Sequence, residues 1–309
     1  MVDNVVMKPP PPARRNPGPV WGFRFVLWAE RTLPGWFFRQ MLAVGAAVGV
    51  VFMPVQRKHS RAYLTLLLAR PPRWSEIWEH FHAFAEFIVV KLRASRGVEL
   101  HCILEPENRE DFVALAGSTR PALFGTFHFG WSDMLGYLLS DWNRPVSVLR
   151  TRVGNSDDTR LLGERFGSKV SFLWVNDPVN FLFEVKDALQ AGVSLAVKCD
   201  RLDFSSRTET FDFLGARRVF PFTVYYLAVL FDRPVVFCIG LPGPEPDTVQ
   251  VVASPVFMPD PARDRRANLA VAHAHFQGVL IQLEGLLRRQ PMLWFNYVPL
   301  NPVASPPAA

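Results

Sequence analysis

Charge is scarce in this 309-residue chain: Asp, Glu, Lys and Arg together make up only 20%. A disordered chain carries more charge and fewer apolar residues, so that class is excluded, as is a collagen-like one. Cysteine is scarcer still. Cys102, Cys199 and Cys238 lie far apart among apolar neighbours, and no Cys-x-x-Cys occurs. That argues against zinc-ribbon and redox motifs and predicts buried free thiols in a reducing compartment, with no metal site. No run of Lys or Arg exceeds two residues, and there is no zinc-finger spacing or aromatic RNA-binding signature. The formal net charge of +6 therefore points to anionic lipid or an acidic partner protein, not nucleic acid. No Gly-x-Ser-x-Gly elbow is present, so an acyl-serine intermediate is not indicated.

Apolar side chains are plentiful. Hydrophobic residues reach 49%, with 26 Phe and 9 Trp, enough for a sizeable core in one large domain or two modest ones. Residues 1–20, rich in Pro, read as a flexible leader without the pattern of a conventional signal peptide. Residues 21–97 read as a helical, membrane-associated region. Trp21, Phe23, Phe25, Trp28, Trp36, Phe37 and Phe38 alternate with Arg24, Arg31 and Arg39. Met41 to Val55 then carries no charge for fifteen residues, about 22 Å as a helix against a bilayer core of roughly 30 Å. Such a segment lies in the membrane surface or dips into it, or else is a buried core helix. Ser75 is the expected cap of a helix that puts Trp78, Phe81, Phe84, Ile88 and Leu92 on one face. His80 and His82 fall on different faces of it and read as packing or surface residues.

Residues 98–302 alternate strands with helices. Strands are expected at 98–104, 121–127, 146–150, 170–175, 193–198, 234–239 and 249–253. Helices are expected from about Ser132 and at 157–166, 178–190, 222–231 and 267–289. This is an α/β pattern: a mixed, largely parallel sheet flanked by helices. Residues 303–309 read as a flexible tail.

Open α/β sheets place their sites at strand-to-helix turns, and Gly125 to Asp133 is such a turn. His128 ends the strand, Gly130 lets the backbone bend or approach a ligand, and Asp133 follows five residues on. His128 alone fits His-x4-[Asp/Glu], where about 0.6 matches are expected by chance. Five helical steps turn two side chains about 140° apart, so the pair meets only if the chain bends between them. A neutral imidazole can take the proton of an attacking alcohol, and a carboxylate on its other nitrogen fixes the tautomer. The alternative is a packed histidine. Asp200 and Arg201, at the end of an apolar strand, read as a head-group clamp or a salt bridge. Arg217 and Arg218, just before a helix, read as an anion site or a solvated turn.

Together these segments resemble the bacterial lipid A biosynthesis (lauroyl/myristoyl) acyltransferases, within the lysophospholipid and glycerophosphate acyltransferase-like group. The resemblance runs from about Trp21 to Pro302. His128-Phe129-Gly130-Trp131-Ser132-Asp133 looks like the first motif and Asp200-Arg201 like the second. Phe213 through Pro221, Leu227-Ala228 and Arg233 to Val235 look like the third, and Trp294-Phe295-Asn296-Tyr297 like an aromatic closing motif. The resemblance implies an acyl carrier protein or coenzyme A thioester as donor, a lipid or glycolipid acceptor, no cofactor, and the cytoplasmic face of the cell inner membrane. It implies His128 as general base oriented by Asp133, with Asp200 and Arg201 lining the acceptor or donor site; Gly130, Arg217 and Arg218 are the further substrate-binding candidates from the residues themselves. Trp131 stands where that family has Asn, Asp133 where Glu is commoner, and Thr223-Val224 where Gly-Pro is usual. The alternative on the same fold is a non-catalytic lipid-binding or scaffold protein. A soluble hydrolase with His128 in a triad would need an activated serine, for which Ser132 and Ser194 lack the turn.

Overall fold

The structure is a computed structural model that describes residues 20–135, 144–150, 170–175, 180–202 and 207–304. The leader, the helix expected at 157–166 and most of the tail lie outside the described residues.

Prolines partition the amino-terminal region. α1 (Val20–Thr32) stops before Pro34, which opens α2 (Gly35–Phe52). Pro54 occupies the first turn of α3 (Pro54–Leu68), where its missing N–H costs nothing. The uncharged stretch from Met41 to Val55 is thus not one helix: α2 closes at Phe52 and the chain turns at Met53. α2 is the one helix among the described residues long and apolar enough to cross a membrane, by length and composition, and only 17% of it is buried. Around it Trp21, Trp28, Trp36, Val44, Val51 and Phe52 are all more than half exposed. Covering such large apolar groups is worth roughly 1.5–3 kcal/mol each. α4 (Trp74–Ser95) starts two residues earlier than Ser75 as its cap would set it. Its cap is a box in which the Glu76 carboxylate accepts from the Arg73 N–H at 2.6 Å.

The rest of the chain runs β1 (His101–Leu104), α5 (Arg109–Gly117), β2 (Leu123–Thr126), a 3₁₀ turn (Ser132–Met134), β3 (Val146–Arg150), β4 (Val170–Trp174), α6 (Phe181–Gln190) and β5 (Ser194–Lys198). A hairpin of β6 (Thr208–Phe213) and β7 (Ala216–Pro221) follows, then α7 (Thr223–Phe231), β8 (Val235–Pro242), β9 (Thr248–Ala253) and α8 (Arg265–Arg289). Seven strands form one sheet in the order β1-β9-β8-β2-β5-β3-β4. All neighbours are parallel except β8 and β9. The architecture is therefore α/β with a mostly parallel mixed sheet flanked by helices.

Alternation along β8 separates two cores. Val235, Phe237 and Ile239 join a cluster with α7, α8, Tyr63 and Leu64 of α3, and Ile77 and Phe81 of α4. Val236 and Cys238 face the other way, toward Phe87 of α4 and Phe112 of α5. Helices α3 and α4 thus share the core of the sheet. Gly125 in β2 is what lets Phe237 fit, since a Cβ there would lie 2.5 Å from its ring.

The β6–β7 hairpin is absent from the expected element list. Leu214 (φ 48°) and Gly215 (φ 74°) both take positive φ, the signature of a two-residue type I′ turn. Asp212 faces Arg217 across the ladder and Phe211 faces Arg218. Arg217 and Arg218 therefore sit on a strand, not at a helix N-terminus.

Candidate active site

β2 and β5 are adjacent and parallel, yet the chain leaves them in opposite directions. From β2 it passes over β5 to β3; from β5 it passes back over β2 to β8. Such a switch point opens a crevice beyond the carboxyl ends of the two strands. Thr126 pairs in register with Lys198. Two residues further along each chain stand His128 and Asp200, brought together across 72 positions of sequence.

His128 Nδ1 donates to Asp200 Oδ1 at 2.7 Å. Asp200 Oδ2 accepts from the His128 backbone N–H at 2.9 Å and from Trp294 Nε1–H at 3.1 Å. The Asp200 side chain is fully buried, whereas His128 keeps 17% of its side chain open. Burial alone would raise the Asp200 carboxyl, but the imidazole, Arg201 and Lys198 hold it below the ordinary carboxylate range. Burial pushes the imidazole of His128 down to about 3, against the opposing pull of Asp200. The ring is therefore neutral at pH 7. With Nδ1 as donor, its lone pair lies on Nε2, the state a general base requires.

Asp133 does not fill the expected orienting role. Its oxygens pair with Lys91 of α4 at 2.9 Å and with Lys198 at the end of β5. Burial pushes its carboxyl up, but the two ammonium groups outweigh this and hold it well below its usual range. The reason is local geometry. Gly130 (φ +54°) turns the chain, its N–H donates to Leu293 O at 2.7 Å, and Asp133 is carried into the 3₁₀ turn. Gly130 does allow a close backbone approach, but to the carbonyl of Gly240, with which a Cβ would collide. The bend serves packing against β8.

Asp200 is correspondingly the residue that pairs with the His128 ring. Arg201 donates from Nε to Asn296 Oδ1 at 2.7 Å and from Nη2 to Phe295 O at 3.1 Å. It ties down the aromatic segment 294–297, which Phe295 N–H to His128 O at 2.7 Å also anchors. Arg218 donates to Asn301 O at 2.8 Å, and Ala304 N–H donates to Arg217 O. Both arginines thus hold the carboxyl-terminal strap through hydrogen bonds from side chain or backbone. No protein-family model and no curated protein matches the chain. The case for function therefore rests on the site.

Other nucleophiles are engaged elsewhere. Ser132 Oγ donates to Phe129 O at 2.6 Å and accepts from the Gly240 N–H, while Ser194 Oγ accepts from Ala122 N–H and Arg144 Nη1. Burial raises the Cys199 and Cys238 thiols far above their usual value, which leaves them unreactive. Cys102 is exposed, contrary to the expectation of a buried thiol. No cluster of three or more His, Cys, Asp or Glu suited to a metal occurs among the described residues. Sequence reasoning missed the roles of Lys91, Lys198 and Trp294 at the site. The spacing of two strand ends, each apolar run closing on a polar residue, was the available signal for Asp200.

Proposed function

We propose that this protein is an acyltransferase that moves a fatty acyl chain from an acyl carrier protein or coenzyme A thioester to a hydroxyl group of a membrane lipid or glycolipid. The observation that carries this reading is the His128–Asp200 pair at the crevice between β2 and β5. His128 Nε2 takes the acceptor's hydroxyl proton as its oxygen attacks the thioester carbonyl. Asp200 fixes the tautomer and stabilises the imidazolium. No enzyme-bound acyl group is needed, which accords with the engaged serines and unreactive buried thiols.

The exposed apolar surface of α1 and α2 supports work at a membrane, and the resemblance to lipid A acyltransferases supports the cytoplasmic face of the inner membrane. α2 spans about 27 Å as an 18-residue helix, near the thickness of a bilayer core.

The test is transfer by purified protein in lipid vesicles, followed by thiol release from an acyl-coenzyme A donor and by mass spectrometry of the lipids. His128→Ala is expected to lower the rate by about 10³-fold while the melting temperature stays near that of the parent. Full activity in that variant refutes the reading. Lipid binding without thiol release by the parent protein establishes the scaffold alternative instead.

A further inference from the structure

We propose that Lys198 is a second catalytic residue of this site, its ammonium stabilising the oxyanion formed as the thioester carbonyl is attacked. The inference rests on the acyltransferase reading and assigns a task that His128 and Asp200 do not perform.

The register of β2 and β5 puts Lys198 beside Thr126, and successive odd or even positions of a strand share a face. Lys198 therefore lies one step behind Asp200, and Thr126 one step behind His128, at the same end of the sheet. Its charge acts directly on the imidazole, as one of the causes that lower the basicity of His128. Asp133 holds the ammonium in place and also holds Lys91 at 2.9 Å. One carboxylate, Asp133, thus faces both ammonium groups at the carboxyl end of β5. Lys91, Asp133 and Lys198 are 20%, 21% and 26% exposed, so the trio borders solvent. The Thr126 hydroxyl oxygen is buried with no protein partner, a second polar atom at this spot with its hydrogen bonding unmet.

The acceptor oxygen forms a bond to the carbonyl carbon, and its proton passes to His128 Nε2. The carbonyl π pair moves onto oxygen, where the Lys198 ammonium meets the charge. The oxyanion then collapses, the carbon–sulfur bond breaks, and the departing thiolate takes the proton from the imidazolium.

The experiment compares Lys198→Met, Lys198→Arg and Lys198→Met/Asp133→Asn, with His128→Ala as control, all in the full chain. Thiol release from lauroyl-coenzyme A is measured in vesicles of phosphatidylglycerol and phosphatidylethanolamine. Binding of dodecylphosphonate, a tetrahedral anion on an acyl-length chain, is measured by calorimetry. Lys198→Met is expected to lower kcat by about 10²-fold with a donor KM within threefold of the parent, and to weaken phosphonate binding comparably. Lys198→Arg recovers part of both. The double variant, with its local charge rebalanced, stays as slow as Lys198→Met, which separates the role of the ammonium from damage to the fold. Unchanged kcat and phosphonate affinity in Lys198→Met, while His128→Ala is inactive, overturn the assignment and leave the acyltransferase reading standing. Thiol release unaffected by His128→Ala overturns both.

Discussion

Two imidazoles, His80 and His128, are linked through Trp294 and differ in their hydrogen-bond partners. His80, on α4, is 1% exposed; Ser60 Oγ–H donates to its Nδ1 at 2.8 Å, and its Nε2–H donates to Trp294 O at 2.9 Å. Its ring also stacks on Tyr297 at 4.6 Å between centroids. His128 gives its Nδ1–H to a carboxylate and keeps 17% of its side chain exposed. Burial lowers the basicity of both, to about 4 for His80 and about 3 for His128. A low pKa is thus no mark of catalysis here. What separates the two is the partner: a hydroxyl and a carbonyl merely satisfy a ring, whereas a buried carboxylate can stabilise the imidazolium. Trp294 serves both, through its carbonyl on one side and its indole N–H to Asp200 on the other.

The sharpest way to break this contrast is Asp200→Asn. It leaves the shape of the site but removes the charge that selects the tautomer, and kcat is expected to fall by about 10³-fold or more. Asp133→Asn, which the spacing alone would make equivalent, is expected to cost less than about tenfold. Equal losses in the two variants would return the orienting role to Asp133. His80→Ala is the mirror experiment. It opens a cavity and strands the Ser60 hydroxyl and the Trp294 carbonyl, so the chain should lose about 3 kcal/mol of stability in denaturant unfolding. The folded fraction keeps a rate within about tenfold of the parent; a catalytic loss as large as that of Asp200→Asn would erase the distinction.

Acidity acts on both sites with one sign. Each imidazole binds a proton near 6.5 when unfolded and resists doing so when folded. Between those values the unfolded state holds more protons. Stability is therefore full above about pH 6.5 and falls as the pH drops, for His80 down to about pH 4, by about 3 kcal/mol. Denaturant midpoints at pH 7 and 4.5 check this, and a His80→Leu variant should show a shallower slope. The rate profile of transfer should carry no inflection near pH 6.5 from His128. The smallest expected effect is that of Trp294→Phe. It removes one of the three hydrogen bonds that the described residues give the Asp200 carboxylate, and a three- to tenfold decrease in kcat is expected, about 1 kcal/mol. No change would mean that the other two bonds suffice to hold Asp200.

Much of the framework was legible from residue pattern. The strand Val146–Arg150 falls where its apolar run places it, and β5, α7 and α8 begin within two residues of expectation, because Gly192, Pro221 and Asp264 punctuate the chain there. The β6–β7 hairpin escaped because its turn is Leu-Gly; Leu seldom adopts positive φ, so Leu214 did not announce the type I′ turn that Gly215 permits. The break of the apolar stretch at Met53 was marked by Pro54, but hydropathy masked it.

By itself, the sequence determined the alternation of strands and helices, the histidine at a strand end and the apolar amino-terminal helices, since each depends on neighbours in the chain; that those helices are uncovered came from the structure. Only the tertiary structure decided which carboxylate serves His128. Asp133 is five residues away but turned aside by Gly130 into the grip of two lysines; Asp200 is distant in sequence, yet strand pairing lays it against the ring. Sequence separation measures distance along the backbone, and a parallel sheet makes neighbours of residues that the backbone keeps far apart.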